Sequence, residues 1–190
     1  MSAIALKYIT PQEYLQAEVE ANEKHEYFEG HVVAMAGARV AHNRIVANLM
    51  REIGSFLKGK TCDVFPSDLR ISTPSYNSYM YPDVSIVCGE VEKKDGQFDT
   101  CTNPSVIIEV MSDSTRDNDR GYKFFYYQQI PSIKEYILID SVNYFAQAIR
   151  KQQDDLWQFE TITNLDAAIK LNSIGLSLSL TDIYYKVSFQ

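Results

Sequence analysis

Apolar residues recur every four positions at Ile45, Leu49, Ile53 and Leu57, the period of one helix face, which predicts a helix from about Ala41 to Leu57. Upstream, Thr10-Pro11-Gln12-Glu13 carries the signals of a helix start. Thr stands at the cap, Pro at the first helical position, and Glu three residues after the cap, with Tyr14, Leu15 and Val19 as an apolar stripe. Between these helices, Glu26–Met35 reads as two short strands joined by a turn at Glu29-Gly30. Further strands are expected at Cys62–Phe65, Leu69–Ser72, Asp83–Cys88 and Val106–Val110. The polar stretch Gly89–Asn103 reads as an exposed connection. Thr115 or Asp117 should cap a helix running to about Gln129, where Pro131 stops its continuation. Lys134–Asp140, Tyr144–Arg150 and Trp157–Ile162 read as strands, the first two joined by a turn at Asp140–Asn143. Leu180–Tyr184 suggests a short capped helix. With no repeat, low-complexity tract or Pro/Gly linker, this order predicts a single domain over residues 1–190, a mixed sheet flanked by helices.

Two of these strands carry a residue that an apolar strand should reject. Tyr81-Pro82-Asp83-Val84-Ser85-Ile86-Val87 holds Asp83, and Pro104-Ser105-Val106-Ile107-Ile108-Glu109-Val110 holds Glu109. Burying an ionised carboxylate costs several kcal/mol, on the order of the stability of a small domain, unless a cation or hydrogen bonds offset it. By the two-residue period of a strand, Asp83, Ser85 and Val87 share one face, as do Ser105, Ile107 and Glu109. Both carboxylates can therefore project from one side of adjacent strands, and hard oxygen ligands of this kind suit Mg2+, with Mn2+ as a substitute. Asp83 could instead cap a strand end or pair with a basic residue.

On the helix that follows, Asp119, Lys123 and Tyr127 are spaced four apart and share a face. A lysine there could run its stem over apolar surface and present its amine near Glu109, or lie at the surface paired with Asp119. Ser112-Asp113-Ser114-Thr115 offers hydroxyls and amides at a helix start, suited to an anion or to simple capping. Trp157 reads as a core residue.

Composition narrows this picture only a little. Hydrophobic residues make up 45% of the chain and charged residues 23%, ordinary values for a globular protein. No apolar run is long enough to span a membrane, and no basic-then-apolar leader is visible, so a cytoplasmic, unprocessed protein is expected. The net charge of −7 argues against a general nucleic-acid binder and leaves room for a nuclease with a local basic groove or bound metal. Cys62, Cys88 and Cys101 are odd in number and widely spaced, which predicts reduced structural thiols and no zinc site.

The order KHEYFEGHVVAMAG, AHNRIVANL, YPDVSIVCG, PSVIIEVMSDSTRDNDRGYKFFYYQ and IKEYILID resembles the Uma-two restriction-endonuclease family, within the PD-(D/E)XK nuclease superfamily. The resemblance runs from about Tyr8 to the C-terminus. It implies a restriction-endonuclease-like α/β/α sandwich, Asp83 and Glu109 as magnesium ligands, and Lys123 as the catalytic lysine. The superfamily pattern places a lysine two residues after the acid. That position is Met111 here, and Lys123 fits the place to which the family's lysine has moved. Glu26 and His42 also fall on recurrent family positions. Glu26 could hold a metal-bound water or a second metal, or be an exposed charge beside Lys24. His42 could donate to a phosphate or carry a proton, or be bonded locally at its helix start. Asp68 reads as a turn residue that could neighbour the site.

The expected activity is that of a magnesium-dependent endonuclease acting on nucleic acid, DNA in the first place, with a two-fold homodimer suited to cutting both strands. An alternative is an inactive nuclease-like domain that binds nucleic acid or protein. A glycosidase using the same two acids fits less well, because a neighbouring lysine opposes the raised pKa that a general acid needs.

Overall fold

The computed structural model describes residues 8–74, 77–94 and 100–189. Helix α1 (Pro11–Glu20) starts with the capping box expected from sequence: the Thr10 hydroxyl accepts from the Glu13 amide while the Glu13 carboxylate accepts from the Thr10 amide. Strands β1 (His25–Phe28) and β2 (His31–Ala34) form a hairpin whose turn residues Glu29 and Gly30 both have positive φ, 46° and 96°. That combination suits a two-residue turn matched to strand twist. At Gly30 a Cβ would come within 2.2 Å of the Tyr8 ring, so the position has no room for a side chain. Helix α2 spans Val40–Leu57 and buries Ile45, Leu49, Ile53 and Leu57, the four residues of the predicted stripe.

The remaining elements are β3 (Cys62–Pro66), β4 (Arg70–Thr73), β5 (Ser78–Met80), β6 (Val84–Cys88), β7 (Thr100–Cys101), β8 (Val106–Met111), a π-helical segment (Asn118–Lys123) running into α3 (Phe124–Tyr127), β9 (Glu135–Asp140), β10 (Ala146–Lys151), β11 (Trp157–Ile162), β12 (Ala168–Leu171), β13 (Leu176–Ser179) and α4 (Leu180–Ile183). They build two larger sheets among the described residues. A six-stranded sheet has the order β11-β10-β9-β8-β6-β3, and a five-stranded sheet the order β2-β1-β5-β4-β7; β12 and β13 form a separate hairpin. The larger sheet is mixed, with β8 and β9 parallel and joined through the π/α3 helix. The mixed α/β architecture expected from sequence is thus present, with the strands divided between two sheets.

Strand alternation decides the layers. Val106, Ile108 and Val110 turn toward α2, α4 and the β12–β13 hairpin, in one apolar cluster. Ile107 and Met111 turn the other way, packing with Tyr126, Tyr127 and Ile130 of the helical side and with Phe28, Ile71 and Met80 of the five-stranded sheet. The odd-numbered face of β8, which carries Glu109, therefore looks into the space between the helix after β8 and the smaller sheet.

Three expectations need correction. Cys62 and Cys88 are joined in a disulfide, and Cys101 alone is a free, buried thiol. The pairing of β3 with β6 puts Cys62 directly opposite Cys88, a proximity that a separation of 26 residues in sequence hides. The Gly89–Asn103 connection is not wholly exposed: Thr100 and Cys101 form buried strand β7 beside β4, and the Arg70 guanidinium donates to the Thr100 hydroxyl at 2.7 and 3.1 Å. Residues 95–99 of that connection lie outside the described residues. Trp157 is only partly buried, its ring edge-on to Phe124. Among the described residues no helix is long and apolar enough to cross a membrane.

Candidate active site

The β6–β8 ladder pairs Val84 with Ile108 and Ser85 with Ile107. One step further, Asp83 would face Glu109, but there the strands part and side chains take over the bonding. The Asp83 amide donates to the Glu109 carboxylate at 3.2 Å, and the Val110 amide donates to the Asp83 carboxylate at 2.7 Å. Each acid thus braces the backbone of the other's strand. Pro82, with no amide hydrogen, precedes this point and ends the strand without leaving a donor behind. The His42 imidazole, at the start of α2, lies with Nε2 3.2 Å from Asp83 Oδ2.

Lys123 approaches from the other side. Its ammonium is buried, 2.9 Å from Glu26 Oε1, 3.1 Å from Glu109 Oε1 and 3.8 Å from Asp119 Oδ1. It is not the surface lysine that pairing with Asp119 alone would describe. The Tyr127 hydroxyl donates to Glu109 Oε1 at 3.2 Å, and the Tyr81 amide to Glu26 Oε1 at 3.1 Å. The stretch that presents Asp119 and Lys123 is π-helical, an irregularity often found where a helix serves a site.

The two acids and the lysine singled out from sequence, Asp83, Glu109 and Lys123, are therefore brought together. Glu26 joins them as a buried residue, so the reading of it as an exposed charge beside Lys24 is replaced. Lys24 pairs with Asp68, whose side chain is exposed at the surface and makes no bond to the cluster among the described residues. His42 sits against Asp83. Ser112 and Ser114 bond to one another, and Ser112 to Thr115, within the turn that leads into the helix. Asp119 and Tyr127 were visible in sequence only as helical neighbours of Lys123, and their fourfold spacing was the available signal. Tyr136, which donates to the Asp119 carbonyl at 2.8 Å and backs the same helix, carried no signal beyond an apolar strand.

Electrostatically the cluster is out of balance. Glu109, Glu26 and Asp119 face one lysine, and Asp83 meets His42. Burial pushes the Glu109 carboxyl well above the usual range; Lys123 pulls it back, and Asp119, Asp83 and Glu26 add to the rise. Burial also raises Asp119, again with Lys123 opposing. For Lys123, burial works against the charged form, but Glu109, Glu26 and Asp119 outweigh it and hold the amine protonated. Burial likewise disfavours the charged His42 imidazole, yet its bond to Asp83 prevails and the pKa is raised.

This donor set fits a hard divalent cation. Excess buried carboxylate is stabilised by added positive charge, and two buried polar atoms, Nδ1 of the His42 that meets Asp83 through Nε2 and Oγ of Ser85 two residues along the strand, have no hydrogen-bond partner among the described residues. Among the described residues no three Asp, Glu, His or Cys side chains are gathered so as to hold an ion unaided, so water would complete any coordination shell.

Residues 11–181 match the model of the Uma2 family, described as "Putative restriction endonuclease". Two uncharacterized proteins of Synechocystis are similar along nearly their whole length. One is 37% identical over 95% of this chain and 94% of its own, the other 35% identical over 90% and 97%. A crystal structure described as that of a putative nuclease from Anabaena variabilis superposes with a TM-score of 0.75 at 20% identity, covering 93% of this chain and 97% of that one, which establishes a shared fold.

Proposed function

Since the chain belongs to the Uma2 family of putative restriction endonucleases, we propose that it is a magnesium-dependent endonuclease that hydrolyses phosphodiester bonds in DNA. The observation that carries this reading is the surplus of buried carboxylate around Glu109 and Asp83, at the point where β6 and β8 part. A structural role alone would leave that surplus unexplained, because buried charge is destabilising unless balanced.

In this reading Asp83 and Glu109 hold the ion, Mg2+ or Mn2+. Once bound, the ion would neutralise charge on the scissile phosphate and make a water more acidic. The protein's own part is preorganisation. The Asp83 amide, the Tyr127 hydroxyl and Lys123 fix the Glu109 carboxylate, while the Val110 amide and His42 fix that of Asp83. Neither acid has to find its orientation during the reaction. Lys123 supplies a fixed positive charge beside the phosphate site and stabilises charge that develops in the transition state. With a net charge of −7, binding to nucleic acid would rest on this local charge and fall steeply with salt. A two-fold pair of chains would present one centre to each strand of a duplex.

The test is cleavage of plasmid DNA, with an RNA control, in Mg2+ and in EDTA. Asp83→Ala and Glu109→Ala should each abolish cleavage while circular dichroism stays native. Magnesium-dependent cleavage retained by both variants would remove the assignment.

A further inference from the structure

We infer that the ammonium of Lys123 occupies the place of a second cation, so that the centre takes one divalent ion and not two. This rests on the reading of Asp83 and Glu109 as a metal site. Three acids from three separate elements, Glu26 on β1, Glu109 on β8 and Asp119 on the π-helical segment, surround that one ammonium at 2.9, 3.1 and 3.8 Å. All three are nearly inaccessible, with exposures of 5%, 2% and 4%, so solvent does little to replace a counter-ion there. The two oxygens of Glu109 are also divided. Oε1 accepts from Lys123 and from Tyr127, whereas Oε2 accepts from the Asp83 amide and is the oxygen on the Asp83 side. One carboxylate thus serves an internal cation through one oxygen and faces Asp83 through the other. A second divalent ion among Glu26, Glu109 and Asp119 would have to expel a lysine that all three hold, or sit beside a like charge at close range.

The roles of Glu26 and Asp119 follow from this. They neutralise Lys123 and position it against Glu109; they are not ligands to the catalytic ion. Glu26, from the smaller sheet, ties that sheet to the centre through the Lys123 ammonium and through the Tyr81 amide.

The experiment is titration with Mn2+, reading free ion by electron paramagnetic resonance and heat by calorimetry, on the wild type, Lys123→Met and Glu26→Gln. The wild type should bind one Mn2+ per chain. Lys123→Met, which keeps an unbranched side chain one atom shorter and removes the charge, should bind two, the second among Glu26, Glu109 and Asp119. Glu26→Gln should still bind one, with affinity changed by less than about tenfold, since it loses a distant charge and no ligand. Two ions in the wild type would overturn the inference and leave the metal-site reading standing. One ion in a folded Lys123→Met, or loss of binding in Glu26→Gln, would also overturn it. If Lys123→Met does not fold, the wild type and Glu26→Gln decide. No ion in the wild type removes the metal-site reading itself, and the inference with it.

Discussion

Glu109 and Glu135 lie on neighbouring parallel strands, β8 and β9, and both are 2% exposed, yet their surroundings differ in kind. Glu135 is saturated. One oxygen accepts from the Ser173 amide and hydroxyl at 2.6 and 2.5 Å, the other from Arg150 Nε at 3.2 Å and the Asn172 amide at 3.0 Å. Arg150 in turn reaches Glu160 at 2.5 Å and the Lys170 carbonyl at 2.7 Å. The Asn172 and Ser173 bonds tie the loop between β12 and β13 to the sheet, and the Arg150 bonds join β10 to β9, β11 and β12. Around Glu109, by contrast, three acids share one lysine, Asp83 meets His42, and two buried polar atoms, His42 Nδ1 and Ser85 Oγ, have no partner among the described residues. Burial of a carboxylate is common to both places. What separates a structural carboxylate from a candidate catalytic one is whether its partners cancel it.

The sharpest way to break this comparison is to remove each acid in turn. Glu109→Ala should lower cleavage by about a thousandfold or more, as expected when the main electrostatic element of a site is lost, and should destabilise the protein less than Glu135→Ala does, because Lys123 keeps Glu26 and Asp119. Glu135→Ala should destabilise the protein by roughly 3–5 kcal/mol, because it leaves Arg150 buried without its inner partner, while the folded fraction keeps its activity. The reverse pattern, an unstable Glu109 variant beside an inactive but stable Glu135 variant, would exchange the two roles. Next in size, Lys123→Ala should cost about 10²- to 10³-fold in turnover. Lys123→Arg should also be impaired, since a planar guanidinium cannot fit where a compact ammonium meets three carboxylates. Full activity in Lys123→Ala would take the lysine out of the chemistry and leave the two acids in it.

Smaller, but specific in sign, is the pH dependence. Glu109 and Asp119 are raised above the ordinary carboxylate range, chiefly by burial. Without metal, the folded chain therefore keeps protons that the unfolded chain releases. Their contribution to stability is complete below the ordinary range and is lost as pH rises through the raised values. In EDTA, wild-type stability measured relative to Glu109→Gln should thus fall with rising pH, and Mg2+ should reverse the trend by replacing the protons. A relative stability that rises with pH in EDTA would contradict the imbalance. The smallest expected effect is that of Tyr127→Phe, which removes one hydrogen bond to Glu109 and should cost about 1 kcal/mol in denaturant melts.

Much of the frame was legible because local rules acted alone. The Ile45–Leu57 stripe, the Thr10 capping box, the Glu29-Gly30 turn and the alternation that puts Asp83 and Glu109 on one face all depend on residues close in sequence. The rule that an acid in an apolar strand marks a site is weakly selective. Applied to Lys134–Asp140, it would flag Glu135 and Asp140, both buried, and Asp140 is engaged by Arg116 at 2.8 Å. What was not legible depends on partners far apart in the chain: Glu26 reaching Lys123 across 97 positions (123 − 26), Cys62 meeting Cys88, and the short strands β5 and β7 that complete the smaller sheet. The π-helical turn was hidden for another reason. Gly121 alone in Asn118–Lys123 departs from an ordinary helix pattern, a lone glycine does not specify a π-helix, and the irregular geometry coincides with the burial of Asp119 and Lys123.

The central claim is that Asp83 and Glu109 form a divalent-metal centre, and the location of a bound ion tests it most directly. Crystals of the wild-type protein soaked in Mn2+ and measured at the manganese edge should show an anomalous peak bonded to carboxylate oxygens of both Asp83 and Glu109. Crystals of Glu109→Gln treated alike should lack it. No peak in the wild type at saturating Mn2+, or a peak held by other residues while Asp83 and Glu109 stay bonded only to one another's strands, would contradict the account.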